Sequence, residues 1–290
     1  MDRFNSPLRE LLVYMRHLRR RGRETDNRIL TRLAQPQRVE NLVGFLVQRT
    51  GVSHEVDTIV VGDLHLGSKH SMAEALHEAL KAFSFNRLVL NGDIFDRPEL
   101  GAESLRAGHH ALLEYLRELS QTREVVWIRG NHDHELAQFL HDTKVHHEFE
   151  WEYRGTRYLA LHGDQFDYFS KNHPALYWIG TELYIFIQRL GPWTKNLCSL
   201  LKRKTKWYTN AMASSIKGAL AHGRARGAQV VLCGHTHQVE QISGGGVSYY
   251  NPGGWTEHTG HLITIGELGV QIHAFNPDGR HLGVRSPIAV

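Results

Sequence analysis

Thr58-Ile59-Val60-Val61-Gly62-Asp63-Leu64-His65-Leu66-Gly67 decides how the chain is read. A β-branched run stopped by glycine reads as a buried strand of an α/β sheet. The C-terminal end of such a strand is where open α/β sheets place their ligands. Asp63 and His65 stand two apart on turning backbone, so both can face one way and offer an oxygen and a nitrogen to one metal ion. A single Asp-x-His at a strand end is common by chance. The reading gains its force from recurrence.

The same pattern returns four times. Leu88-Val89-Leu90 leads into Asn91-Gly92-Asp93-Ile94-Phe95-Asp96-Arg97, and Val125-Val126-Trp127-Ile128 into Arg129-Gly130-Asn131-His132-Asp133. Tyr158-Leu159-Ala160-Leu161 leads into His162-Gly163-Asp164, and Val230-Val231-Leu232-Cys233 into Gly234-His235-Thr236-His237. Each strand ends in Asp, Asn or His, nearly always beside a glycine that lets the backbone turn sharply and approach a ligand. The donors are carboxylate, amide oxygen and imidazole without thiolate. That mixture suits Mn, Fe, Zn or Co in an open site rather than a closed structural zinc.

With 290 residues, 41% hydrophobic and 22% charged, the chain can bury a full core. No window reaches 18 consecutive apolar residues, so no transmembrane helix is expected. The first thirty residues are charged throughout and show no signal-peptide core. Two cysteines, Cys198 and Cys233, make no disulfide framework and suit a reducing cytoplasm. The 21 histidines point toward metal chemistry.

The net charge of +4 conceals a segregation. Residues 1–50 carry 11 Lys and Arg against 5 Asp and Glu, and residues 170–226 carry 10 against 1. The remaining body is acidic, with 13 against 24. Two basic segments on an acidic body attract phosphates, nucleic acid or anionic lipid.

The apolar spacing of Leu8, Leu11, Leu12, Met15 and Leu18 predicts a helix over 6–21, and a second is expected over 37–48. Residues 1–53 therefore read as an N-terminal helical extension. From His54 helices at 71–84 and 103–120 alternate with strands at 87–90 and 124–128, which is the βαβ order of a layered α/β domain. Strands follow at 145–149 and 151–161. Residues 166–226 break the order with ten aromatics, ten basic residues and helical patterning over 174–190 and 205–222; they read as an inserted cap. The core is thus expected over 54–165 and 227–275, with a second, antiparallel-rich sheet over 238–275 and a C-terminal tail over 276–290.

In order, Asp63-x-His65, Gly92-Asp93-x-x-Asp96, Gly130-Asn131-His132-Asp133, His162-Gly163-Asp164 and Gly234-His235-Thr236-His237 resemble the five motifs of the calcineurin-like metallophosphoesterases. The resemblance spans about 58–275. It implies a four-layer αββα sandwich with two divalent metal ions, Mn first among the candidates. Asp63, His65 and His237 would hold one ion, Asn131, His162 and His235 the other, and Asp93 would bridge them. His132 would contact the phosphate and protonate the leaving group, oriented by Asp96. The chemistry fits: ions about 3.5–4 Å apart suit a shared hydroxide attacking phosphorus in line. Because Asn131 already serves that turn as a ligand, the His132 imidazole is free for acid work.

The wording Asp-Leu-His-Leu-Gly, Asn-Gly-Asp-Ile-Phe-Asp, Arg-Gly-Asn-His-Asp and His-Gly-Asp-Gln-Phe-Asp is similar to the UDP-2,3-diacylglucosamine pyrophosphatase group. So are the helical insertion and Asn251-x-Gly-Gly-Trp255. That group implies a lipid-linked pyrophosphate substrate in lipid A synthesis, met at the inner membrane surface. Cationic Lys202, Arg203, Lys204 and Lys206 would bind its phosphates, aromatic walls its acyl chains, and the cap would touch the membrane peripherally. Two departures stand beside it. The lipid A enzymes usually carry Arg where His132 stands, and Arg97 is similar to the phosphate-binding Arg of phosphoprotein phosphatases. A phosphodiesterase or phosphatase acting on another small or nucleotide substrate is the alternative. No nucleic-acid-binding module is recognisable. A non-catalytic metal-binding scaffold would be marked by lost ligands, and all seven are present.

Overall fold

The computed structural model describes residues 54–96, 105–133, 144–167 and 206–285, with side chains of the last stretch from Met212 onward. By its contacts the chain divides into Met1–Val52 and Ser53–Val290, and every described residue belongs to the second unit. The expected helices at 6–21, 37–48 and 174–190 lie outside the described residues. So do Arg97, Lys202, Arg203, Lys204 and the side chain of Lys206.

Strand β1 (His54–Val61) pairs in parallel with β2 (Phe83–Asn91), and β2 with β3 (Glu124–Ile128). Side chains alternate across these strands with period two. Ile59, Val61, Leu88 and Leu90 face helices α1 (Ala73–Lys81) and α2 (Ala107–Ser120), while Val60, Val89 and Val126 face a second sheet. Both faces are covered, which is why the strands read as unbroken apolar runs. The second sheet contains β5 (Glu148–Tyr153), β6 (Thr156–Leu161), β7 (Val230–Leu232), β9 (Val247–Pro252) and β8 (Val239–Gly244), in that order. Its Leu159, Leu161, Val231 and Tyr249 pack beneath α3 (Lys206–Ala225) through Ile216, Ala219 and Leu220. Two helices, two sheets and one helix make the αββα sandwich that the motifs imply.

Several expectations are corrected. Helix α1 ends at Lys81 because Phe83 and Phe85 enter the core as strand residues opposite His54 and Val56, so β2 starts four residues before 87. The span 145–149 divides at His147: β4 (Val145–His146) joins the first sheet and β5 the second. Residues 151–161 form a hairpin, turned at Arg154 and Gly155, whose φ values are 51° and 76°. The strands of 238–275 do not form one sheet. β8 and β9 stay in the second, whereas β10 (Gly260–Gly266) and β11 (Gly269–Phe275) return to the first beside β1. The presumed tail contributes β12 (His281–Arg285), the edge strand of that sheet. Finally, α3, counted with the cap, is a layer of the core.

Because β1, β2 and β3 run parallel, as do β6, β7 and β9, their C-terminal ends bring the loops that follow to one end of the sandwich. The loops after β1 and β2 zip together: Asp63 N donates to Gly92 O, His65 N to Asp93 O and Leu66 N to Ile94 O. Fully buried His109, at the start of α2, accepts from Gly67 N at 3.2 Å and anchors the far end of that loop. Burial and then Arg106 hold its pKa below the usual value, consistent with a neutral acceptor.

Candidate metal centre

The loops deliver the seven predicted ligands to one place. Asp63, His65 and His237 form one trio and Asp93, His162 and His235 another; within each, the donor atoms lie within 4.8 Å of one another. Asn131 Oδ1 joins the second trio, 3.0 Å from His235 Nδ1 and 3.3 Å from His162 Nε2. Asp93 Oδ2 stands between the two, 3.3 Å from His162 Nε2 and 3.8 Å from His65 Nε2. It is placed to serve both.

Local backbone shows how tightly this end is specified. Asp63, His65, Asp93, His235 and His237 all adopt positive φ, between 46° and 67°. Among the described non-glycine residues only Arg154, in the hairpin turn, shares that conformation. Each costs on the order of 1–2 kcal/mol against the right-handed form, and such strain gathers at functional sites. Glycine is needed where these loops crowd. A Cβ on Gly92 would fall 2.3 Å from His162 Nδ1, and one on Gly130 would fall 2.2 Å from Asp93 Oδ1.

The donor set fits divalent cations. Two imidazole nitrogens, His65 Nε2 and His237 Nε2, face each other at 3.2 Å, as lone pairs sharing one cation would. Asp63 is fully buried; burial, with the neighbouring Asp93 charge adding to it, pushes its carboxyl up to about 6, against the pull of His162. Asp93 goes the other way. Burial opposes its ionisation, but His162 outweighs that and holds it well below the usual carboxylate range. Burial likewise pulls the His162 imidazole down, yet Asp93 overrides it and lifts it to about 10. Carboxylates so desolvated keep their charge only with positive partners, the role metal ions take.

His132 and Asp96 depart from the expected pairing. His132 Nδ1 meets the Asp96 backbone oxygen at 2.5 Å. The Asp96 carboxylate instead lies 3.2 Å from His65 Nδ1, off the line of a good hydrogen bond. His132 Nε2 is 4.0 Å from Asp93 Oδ2, and His65, Asp93 and His132 make a third trio of metal-binding spacing. His132 therefore stands within reach of the centre. Asp133 braces the loops: Oδ1 accepts from Ile94 N and Phe95 N, and Oδ2 from Gly130 N.

Two residues were missed. Asp167 Oδ2 lies 3.1 Å from His235 Nε2; it stands above only as the last residue of the His-Gly-Asp-Gln-Phe-Asp wording, with no role attached. Fully buried Asn251, quoted above only as part of a resemblance, donates from Nδ2 to Gly234 O at 2.6 Å and accepts at Oδ1 from Gly253 N at 2.8 Å. It holds the loop that carries His235 and His237.

The fold and this ligand cluster define a metal-dependent phosphoesterase architecture. The profile of the calcineurin-like phosphoesterases matches residues 57–239, and the chain belongs to that family, whose members use divalent metals. Among solved structures, the chain is similar to the phosphoesterase Yfce from E. coli, at 17% identity over 79% of this chain and 97% of that one, with a TM-score of 0.45. A conserved predicted phosphoesterase from Streptococcus pneumoniae TIGR4 matches at 17% identity over 80% and 94%, with a TM-score of 0.39. Zinc-complexed wild-type Vps29 from Entamoeba histolytica matches at 14% over 76% and 91%, with a TM-score of 0.41. No curated protein matches.

Proposed function

We propose that the chain hydrolyses a phosphoric anhydride in a lipid-linked nucleotide, in the manner of the UDP-2,3-diacylglucosamine diphosphatases, at the inner face of the cell membrane. The observation that carries the phosphoesterase reading is the shared placement of Asp93 between two ligand trios. The motif wording and the basic, aromatic content of 170–226 support the lipid-linked substrate.

Two divalent ions bound in this site would supply charge neutralisation for phosphoryl oxygens and would make a water acidic enough to act as nucleophile near neutral pH. The chain's own residues do the rest. Asp63, His65, Asp93, Asn131, His162, His235 and His237 would hold the ions and so fix where phosphate docks. The Asp96 carbonyl can only accept, so His132 Nδ1 carries a hydrogen toward it and the ring is fixed with Nε2 facing the centre. A second proton, at Nε2, is then placed for the leaving oxygen. The His132 side chain is 34% exposed, which leaves it open to substrate.

A second reading, hydrolysis of another small phosphodiester or nucleotide, is favoured by His132 standing where the lipid A enzymes usually carry Arg. Products from UDP-2,3-diacylglucosamine, bis-p-nitrophenyl phosphate and p-nitrophenyl phosphate, assayed side by side, separate the two. Neutralising Lys202, Arg203, Lys204 and Lys206 together should then raise KM for the lipidic substrate and spare the small diester. Equal loss on both, or on neither, would remove the lipid-linked reading. Among the described residues no helix is long and apolar enough to cross a membrane.

A further inference from the structure

We propose that Asp167 is the positioning residue that presents His235 to the metal centre through Nδ1, so that one of the two metal sub-sites depends on a carboxylate outside the ligand set. The inference rests on the two-ion reading above. His235 is held from both sides: Asn131 Oδ1 is 3.0 Å from Nδ1, and Asp167 Oδ2 is 3.1 Å from Nε2. An ionised carboxylate only accepts, so the ring hydrogen belongs on Nε2. That leaves the Nδ1 lone pair aimed where Asn131 Oδ1, His162 Nε2 and Asp93 Oδ2 gather. His162 is set in the opposite sense, because its Nδ1 donates to Asn91 O at 3.1 Å and frees Nε2. The two imidazoles thus offer opposite ring nitrogens to one point, and each needs its own fixed tautomer to do so.

The placement of Asp167 is built rather than incidental. Gly163, at φ 107°, turns the chain out of β6 into a 3-10 turn over Asp164–Phe166, and Asp167 N donates to Asp164 O at 3.0 Å. From behind, Ser215 Oγ on α3 donates to Phe166 O at 3.3 Å, and the Phe166 ring fills the space over Gly218, where a Cβ would meet Cδ1 at 2.8 Å. The Asp167 and His235 side chains are only 15% and 10% exposed. Water therefore screens this pair less than it would an ion pair on the surface. A single segment of six residues, 162–167, supplies one ligand and the partner of another.

Calorimetric titration of the full chain with Mn²⁺ tests the assignment. Wild-type protein should bind two ions; fewer would defeat the two-ion reading itself, separately from the role of Asp167. Asp167→Asn should weaken one site about 10–100-fold, the usual worth of such an outer partner, and leave the other site at its wild-type affinity. Asp167→Glu keeps the acceptor and should recover part of the loss. Asp164→Asn removes the same charge from the same segment and should bind both ions normally. Should the amide variant not fold, Asp167→Ser repeats the measurement. Wild-type affinity at both sites in Asp167→Asn, or equal weakening of both, would overturn the proposal.

Discussion

The carboxylate of Asp96 lies against His65: Oδ1 stands 3.2 Å from Nδ1, on the side of the ring away from the other ligands. Burial pulls the His65 imidazole down, but Asp96 and then Asp93 outweigh that and raise its pKa. Asp96→Asn should therefore act as a metal-binding defect, with affinity down about 10–100-fold and activity restored by excess Mn²⁺. His132→Ala should do the reverse, lowering kcat about 10²–10⁴-fold at unchanged ion content. Measuring kcat across a series of Mn²⁺ concentrations tells them apart. An Asp96→Asn defect that no added Mn²⁺ repairs would return Asp96 to the service of His132.

Gly130 leaves room for Asp93. An added methyl would meet Asp93 Oδ1 at 2.2 Å and its backbone nitrogen at 2.3 Å, so Gly130→Ala must displace the shared ligand. Overpacking of this kind costs about 1–3 kcal/mol, which the fold should survive while both ions are lost. Gly244, with nothing within 4 Å of its added Cβ, is the control, and Gly244→Ala should keep both. Metal analysis of the two purified variants is decisive; two bound ions in Gly130→Ala would refute the shared role of Asp93.

Asn251→Ala leaves buried Gly253 N without its 2.8 Å acceptor and takes one of two donors from Gly234 O, which keeps Thr236 N at 2.8 Å. Orphaned buried groups cost about 1–3 kcal/mol. Urea unfolding should show that loss, and Mn²⁺ affinity should fall with it, because the loop carrying His235 and His237 is freed. Loss of stability at unchanged affinity would make Asn251 a purely structural residue.

His261 on β10 gives a pH signature away from the site. Burial, then Arg285, lowers its pKa to about 4, and its Nε2 has no hydrogen-bond partner. A depressed histidine stays neutral in the fold while the unfolded chain takes up a proton near pH 6.5. Its contribution is therefore full above about pH 6.5 and lost as pH falls toward about 4, with a ceiling on the order of 3 kcal/mol. Urea midpoints at pH 7 and pH 5 should differ by less in His261→Leu than in wild type. An identical pH dependence in the two proteins would show that another group is responsible.

How much of this was legible follows from how far apart the deciding atoms lie. The five strand-and-ligand motifs are local: an apolar run, a glycine and a donor sit within ten residues, and both faces of each strand are buried, so the sequence alone yields the ligands. The hairpin at Arg154–Gly155 is also locally encoded, by a glycine of φ 76° between alternating strands, although the expected strand over 151–161 runs across it.

Partnership across the fold was decided only by tertiary structure. Nothing in residues 260–275 says that β10 lies against β1 rather than β9, because alternating side chains look the same in either sheet and pairing is settled by non-local packing. α3 resembled a cap helix by charge, and only the packing of Ile216, Ala219 and Leu220 makes it a core layer. The Asp96 carboxylate reached His65 rather than His132, and Asp167 reached His235 across 68 residues of sequence. The chain's own order determines which donors exist and that they end strands. Which donor orients which imidazole depends on loops in left-handed backbone at Asp63, His65, Asp93, His235 and His237, a conformation these residue types tolerate but do not announce.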